Sequence, residues 1–335
     1  MERCDFPLGT TRGLSKFWVR RMLFSIPYSE VCKQLDRIFQ YLQKGGISHR
    51  DINPGNLLFS EKDKTIKLSD FYWAKTDSLS VGTPSSLNAM YSTVDATSIK
   101  MIKDQILPVD FAVRKSVRKV VKRELQEMGR VYRDGSAGKV GKAYHIVDTP
   151  YLIDTPRSVN TKQEFLDIYS NITCNPKTVL DVGCAVGYNV FNLMRKFRLS
   201  KAYAFEADPI VSKFLRTMKT VYFLRELELY PGVTDTTLVP KVDVVVCMNV
   251  HMWLYKQLGP RKTNLVMTNL INNCKELFFQ TSGAESAGMY IVKDLKSKED
   301  IEKYLYSLGG REVKLIRSTD IHKGIRHLFK VRGML

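Results

Sequence analysis

The stretch from Thr178 to Pro209, TVLDVGCAVGYNVFNLMRKFRLSKAYAFEADP, constrains the fold of this chain more than any other. A short apolar run (Val179, Leu180, Val182) meets a glycine turn that runs from Asp181 through Gly183 to Gly187. Val190, Leu193, Met194 and Phe197 follow at spacings of three to four residues, the pattern of a helix with one apolar face. A second apolar run, Ala202 to Phe205, ends in Glu206. Strand, glycine turn, helix and strand in this order commit the region to a parallel α/β sheet. Gly183 and Gly187 permit a tight turn and keep a Cβ out of the way of an approaching ligand. The free N–H groups at the start of the helix face the same space. Glu206 can accept hydrogen bonds from two adjacent ribose hydroxyls, so the unit suits a nucleotide-like ligand.

The spacing D-x-G-x-x-x-G differs from the dinucleotide pattern G-x-G-x-x-G. It resembles motif I of class I S-adenosylmethionine-dependent methyltransferases, with Glu206 at the place of their ribose-binding acid. The resemblance implies a Rossmann-like seven-stranded sheet over residues 143–335, closed by an antiparallel hairpin. It also implies S-adenosyl-L-methionine as cofactor, with Asp181, Gly183 and Gly187 against its methionine portion. Helices are expected over 161–172, 210–223 and 297–308, and strands over 228–234, 242–248, 277–280, 313–316 and 327–331. Beyond the fourth of the sheet's strands, Asn249-Val-His251-Met-Trp253 stands where motif IV of this family faces the transferred methyl group. There Asn249 would line the cofactor site and position a substrate, and Trp253 would pack on the acceptor. His251 is either a general base or a structural hydrogen-bonder. Tyr144, His145 and Arg157 are further candidates for the cofactor carboxylate or an anionic substrate, and Asp235 for the adenine side.

The N-terminal part carries a second pattern. An apolar stripe (Val31, Leu35, Ile38, Phe39, Leu42) predicts a helix over 29–44, capped by Ser29 and ended by Gly45-Gly46. Then come His49-Arg50-Asp51 and Asn56, an apolar run at 57–59, and Ser69-Asp70-Phe71. This resembles the catalytic loop H-R-D-x-x-x-x-N and the D-F-G motif of the protein-kinase-like fold. On that resemblance Asp51 would orient an acceptor hydroxyl, while Asn56 and Asp70 would hold Mg²⁺ for ATP. Tyr72 replaces the D-F-G glycine, and the residues before His49 hold no G-x-G-x-x-G and no room for a five-stranded lobe. The expectation for 1–108 is therefore a mostly α-helical, truncated kinase-like C-lobe without activity of its own, or one completed by a lobe from a partner chain. Within 1–27, Arg20-Arg21 reads as surface charge. Residues 109–142 are expected to form a linker: a helix from Phe111 to Met128 with a basic face, then a glycine-rich boundary at 134–141.

Composition bounds the partners. The chain has 335 residues and a net charge of +18, which attracts anions, nucleic acid or acidic glycans without choosing among them. No zinc knuckle or aromatic-basic repeat supports nucleic acid, so an RNA- or polyanion-binding protein is the alternative from another functional class. No apolar run nears the roughly 20 residues that span a bilayer. Six scattered cysteines with no C-x-x-C spacing point to free thiols and a cytoplasmic location. Enzymes that cap bacterial O-antigen polysaccharides by phosphorylation and methylation join the same two modules in the opposite order. The expected acceptor is accordingly a glycan, a glycan phosphate or another small molecule.

Overall fold

The structure, a computed structural model, describes residues 6–11, 13–76, 94–131, 147–149, 152–154, 161–281, 292, 294–321 and 324–335. The chain divides into two compact units, one of Met1–Arg123 with Asp148–Ile153 and Thr217–Leu224, the other of Glu124–Val147, Asp154–Arg216 and Arg225–Leu335.

In chain order the first elements are β1 (Phe6–Pro7), β2 (Gly9–Thr10), β3 (Gly13–Leu14), α1 (Lys16–Ser25), α2 (Tyr28–Lys44), β4 (Ile47–Ser48), β5 (Leu57–Ser60), β6 (Thr65–Leu68), β7 (Lys75–Thr76) and α3 (Asp95–Val131). Strands β1, β5 and β6 form an antiparallel sheet. Three sequence expectations need correction here. Helix α2 begins at Tyr28 with Pro27 in the capping position and no side-chain cap, so Ser29 lies inside it; proline sets the φ that a helix entry needs. Arg21 is buried in α1, its Nε 2.5 Å from Glu61 Oε1, rather than at the surface. A charge this enclosed persists only with a partner, and the partner lies 40 residues away in sequence. Helix α3 starts at Asp95, not Phe111, and carries Pro108 inside it. The buried stripe Ile99, Ile102, Ile106, Val109, Val113 and Val117 runs unbroken past that proline. Packing of this stripe outweighs the one backbone bond that Pro108 removes.

The remaining elements are β8 (Val147–Thr149), β9 (Leu152–Asp154), α4 (Thr161–Asn171), β10 (Thr178–Val182), α5 (Tyr188–Lys196), β11 (Lys201–Phe205), α6 (Pro209–Tyr222), β12 (Leu227–Tyr230), β13 (Val242–Met248), α7 (His251–Asn272), β14 (Cys274–Thr281), α8 (Lys298–Ser307), β15 (Glu312–Ile321) and β16 (Gly324–Arg332). Seven of the strands form one sheet in the order β12-β11-β10-β13-β14-β16-β15. The first five run parallel, and β16 and β15 close the sheet antiparallel. This is the α/β, Rossmann-like seven-stranded architecture expected. Two parallel strands cannot be joined by a tight hairpin, so each connection passes over a face of the sheet. Leu180, Val182, Val245, Cys247, Leu277 and Phe279 pack with Met267, Leu270 and Ile271 of α7 and with Ile301 and Leu305 of α8 in one continuous core. Side chains alternate across a strand, so Val179 and Asp181 turn to the opposite face, where α5 lies.

Helix α8 has a capping box at Ser297, reciprocated by Asp300. Among the described residues, Cys32, Cys174, Cys184, Cys247 and Cys274 are free thiols, and no helix is long and apolar enough to cross a membrane.

Candidate cofactor and acceptor site

The order reverses between β10 and β13, and ligands in open parallel sheets sit beyond the strand ends at such a point. A cleft opens there, with Glu164, Asp181, Gly183, Ala185, Tyr188 and Asn249 among its lining residues. Four of these six are within the predicted turn or the helix start that follows it.

Within the turn, φ is positive at Gly183 (63°), Ala185 (48°) and Gly187 (79°). The two glycines are required first by this backbone and by the protein's own packing. A Cβ on Gly183 would come within 2.3 Å of Val250 Cγ2, and one on Gly187 within 2.7 Å of the Phe191 ring. The Ala185 conformation, uncommon for a residue with a Cβ, is held from outside the turn. Its N–H donates to Glu206 Oε2 at 2.8 Å, while Glu206 Oε1 accepts from the Asp208 N–H at 2.8 Å. Desolvation raises the proton affinity of Glu206, and the Asp208 and Ala185 N–H groups oppose that rise.

Asp181 lies in the central strand, paired with Ala204 on one side and Val246 on the other. Its Oδ2 accepts from the Val190 N–H at 3.1 Å. Gly187 offers α5 no side-chain cap, so the buried Asp181 carboxyl satisfies an N-terminal donor of that helix from the neighbouring strand. Burial pushes its pKa from 3.8 up to about 8; the Val190 N–H lowers it and Glu206 raises it further. The folded chain therefore holds a proton that the unfolded chain releases. The associated stability is complete below pH 3.8 and is lost as pH rises through about 8. Asp181→Asn is expected to remove a slope of up to about 1.4 kcal/mol per pH unit from the fall in stability between pH 5 and 8, measured by denaturant titration.

Asn249 stands just past β13 with φ 59°. Its N–H donates to the Gln280 carbonyl at 2.8 Å, and its Nδ2 donates to Gln280 Oε1 at 2.8 Å. Its Oδ1 is buried without a hydrogen-bond partner. The neighbouring His251 was expected in a loop but is the first residue of α7, and it is 1% exposed. Its Nδ1 lies 3.2 Å from Thr281 Oγ1 and its Nε2 2.9 Å from Tyr304 Oη. Tyr304 gives its own proton to Asn264 Oδ1 at 3.0 Å, so it receives one from Nε2 and leaves Nδ1 to accept from Thr281. Burial lowers the His251 pKa from 6.5 to about 4 and keeps the ring neutral. Trp253, two residues farther along, is exposed. Asp235 pairs with Lys262 at 3.3 Å. Tyr144, His145 and Arg157 lie outside the described residues.

Glu164 and Gln280 were not singled out from sequence. Glu164 reaches the cleft from α4, and Gln280, on β14, meets the Asn249 side chain; neither residue carries a local signal for its contact. Glu164 is largely buried; desolvation raises its proton affinity, and Arg326 and Gln280 oppose that rise.

In the other unit, the main-chain N–H groups of His49 and Arg50 donate to Asp95 Oδ2 and Oδ1 at 2.7 and 2.8 Å. That buried carboxylate at the start of α3 fixes Arg50 at φ 66°. Asn53 Nδ2 donates to Asp51 Oδ1 and Asn56 Nδ2 to Asp51 Oδ2, both at 3.0 Å. Asn56 is buried, while Asp70 is exposed with φ 61°. Among the described residues no group of three or more His, Cys, Asp or Glu side chains is placed to hold a metal ion.

No family model matches the chain. Among solved structures it is similar to a crystal structure of EvdMO1, at 13% identity and a TM-score of 0.43, over 63% of this chain and 47% of that one. The N-terminal domain of EvdMO1, crystallised in the presence of SAH and D-fucose, is 11% identical with a TM-score of 0.46, over 63% of this chain and 96% of that domain. The bifunctional kinase-methyltransferase WbdD is 12% identical with a TM-score of 0.44, over 53% of this chain and 40% of its own. This chain thus spans about half the length of the EvdMO1 chain and less of WbdD. At such identities and scores none of these likenesses assigns a family or an activity.

Proposed function

We propose that the C-terminal unit binds S-adenosylmethionine and transfers its methyl group to a glycan or other small-molecule acceptor. The observation that carries this reading is the position of Glu206. Its carboxylate leaves the tip of β11 and meets the Ala185 N–H of the turn that walls the cleft. An acid at that place can take both ribose hydroxyls while the turn and the start of α5 take the remainder of the ligand.

The residues suit this cofactor. The cleft combines two carboxyl groups, Glu164 and Asp181, with the unpartnered amide oxygen of Asn249, a set able to meet the ammonium of an amino-acid moiety. When bound, S-adenosylmethionine supplies a sulfonium methyl for in-line displacement, with the electron pair kept by sulfur and the acceptor's proton lost to water. Glu206 would orient the ribose, the positive-φ turn would seat the chain of the ligand, and the strand ends would exclude water from the reacting line. His251, with both ring nitrogens engaged, would hold the start of α7 in place.

The proposal leaves the N-terminal unit as a kinase-like scaffold. Calorimetric titration tests both halves. S-adenosylmethionine is expected to bind and ATP with Mg²⁺ to give no heat. ATP binding that is lost in Asp70→Ala would instead establish a working nucleotide site in the N-terminal unit and overturn the scaffold reading. Absence of S-adenosylmethionine binding would overturn the methyl-transfer reading.

A further inference from the structure

We infer that the exposed face of α3 docks on the surface of an anionic lipid bilayer, with Leu107 and Phe111 inserted below the head groups and Lys115, Arg118 and Lys119 set against lipid phosphates. The inference concerns the N-terminal unit and stands apart from the methyl-transfer reading.

Helix α3 has two unlike faces. Ile99, Ile102, Ile106, Val109, Val113 and Val117 are buried on one. On the other, Leu107 and Phe111 are 47% and 65% exposed, one turn apart, with Pro108 and Ala112 exposed beside them. Single exposed apolar residues are ordinary on a folded chain, but adjoining ones on one helix face form a patch. The next turns of that face carry Lys115, Arg118 and Lys119, all exposed. Steps of three and four residues keep these side chains on the same side as Leu107 and Phe111. Arg114 is not counted with them, because the buried Asp110 already meets it at 2.7 Å. Apolar patch and basic cluster thus adjoin along about 18 Å of helix, inside the first compact unit.

This pairing selects a partner that offers hydrocarbon and negative charge side by side, the composition of an anionic bilayer surface. Leucine and phenylalanine gain by leaving water, while lysine and arginine lay their stems along apolar surface and keep their charged ends at the phosphates. Nucleic acid supplies the charge but returns little for an exposed leucine and proline, since base stacking rewards the aromatic ring. A second copy of this chain supplies apolar surface but brings an equally basic face, on which Asp104 is the one exposed acid between Lys100 and Lys119.

Vesicle co-sedimentation of the full chain tests the inference. The wild type is expected to sediment with vesicles of equimolar phosphatidylcholine and phosphatidylglycerol, and to stay in solution with phosphatidylcholine alone. Lys115→Gln, Arg118→Gln and Lys119→Gln combined should weaken binding by about a hundredfold, since each basic side chain near an anionic surface adds about fivefold. Phe111→Gln should weaken it by about tenfold with the charge unchanged. A net charge of +18 draws the chain toward any anionic surface, so a control removes three charges elsewhere: Lys296→Gln, Lys303→Gln and Lys314→Gln, all at exposed positions. At physiological ionic strength that control should bind within about threefold of the wild type. Circular dichroism checks that each variant folds. Equal losses in the two triple variants would reduce the effect to net charge and overturn the inference, as would full binding by Phe111→Gln. A wild type that ignores the mixed vesicles overturns it as well. Polyuridylic acid bound in their place through the three basic residues would make the face a nucleic-acid surface. A dimer lost in Phe111→Gln would make it an interface between copies.

Discussion

Glu206→Ala is expected to weaken S-adenosylmethionine binding by about a hundredfold or more, because two charge-assisted hydrogen bonds at about 1.5–3 kcal/mol each are lost together. The substitution also removes the acceptor for the Ala185 N–H, which holds that residue at φ 48°. Turn geometry and ligand contact therefore fail together. Glu206→Gln separates them. Its amide oxygen can still take the Ala185 hydrogen and so hold the turn, at the loss of the Asp208 hydrogen bond, while a neutral amide binds the ribose more weakly, by about tenfold. Protonation should act in the same direction. Desolvation raises the proton affinity of Glu206, so binding should weaken with falling pH before an ordinary carboxylate would protonate. Calorimetry on wild type, Glu206→Gln and Glu206→Ala, with circular dichroism as the check on folding, decides the matter. An affinity unchanged in Glu206→Ala would remove Glu206 from the site.

Gly183→Ala is expected to destabilise the C-terminal unit by about 2–5 kcal/mol. Two costs combine in it: about 1–2 kcal/mol for a Cβ in the left-handed region, and about 1–3 kcal/mol for overpacking. The crowding has one identifiable source, since all three of the nearest atoms belong to the Val250 side chain, at 2.3, 3.2 and 3.3 Å. Val250→Ala in the same chain should recover the packing part and leave the backbone part. A double-mutant cycle should thus show a coupling of about 1–3 kcal/mol in denaturant titrations. A coupling near zero would mean that the turn shifts as a whole to admit the Cβ. The expected result ties the glycine turn to the loop after β13 through direct packing, so the two walls of the cleft are set jointly.

Much of the C-terminal unit was legible because its signals are local. A buried parallel strand reads as an apolar run, and β13 matches the predicted Val242–Met248 at both ends. Edge and closing elements were less legible. The third strand is Leu227–Tyr230 rather than 228–234, and the final hairpin extends well beyond the two short runs predicted for it. Those outer residues alternate with polar ones and draw their pairing from a neighbour. The loop expected after β13 is the start of α7, whose entry is set by burial of His251 and Leu254 and not by a capping residue. Likewise α3 starts at Asp95 and not at Phe111, because the packing of Ile99, Ile102 and Ile106 carries the helix through Pro108.

The candidate site divides along the same line. The sequence alone determined the βαβ unit, the two glycines and the acid at the tip of the second strand, since each rests on residues within one short segment. Only the tertiary structure decided what these residues meet. It showed Asp181 capping α5, Val250 filling the space above Gly183, His251 saturated by Thr281 and Tyr304, and Asp95 clamping the backbone at His49 and Arg50. It also brought Glu164 and Gln280 to Asn249. Hydrogen-bond partners far apart in the chain leave no periodic trace in it, because a carboxyl or an amide reads the same in sequence whether it faces water or a buried donor.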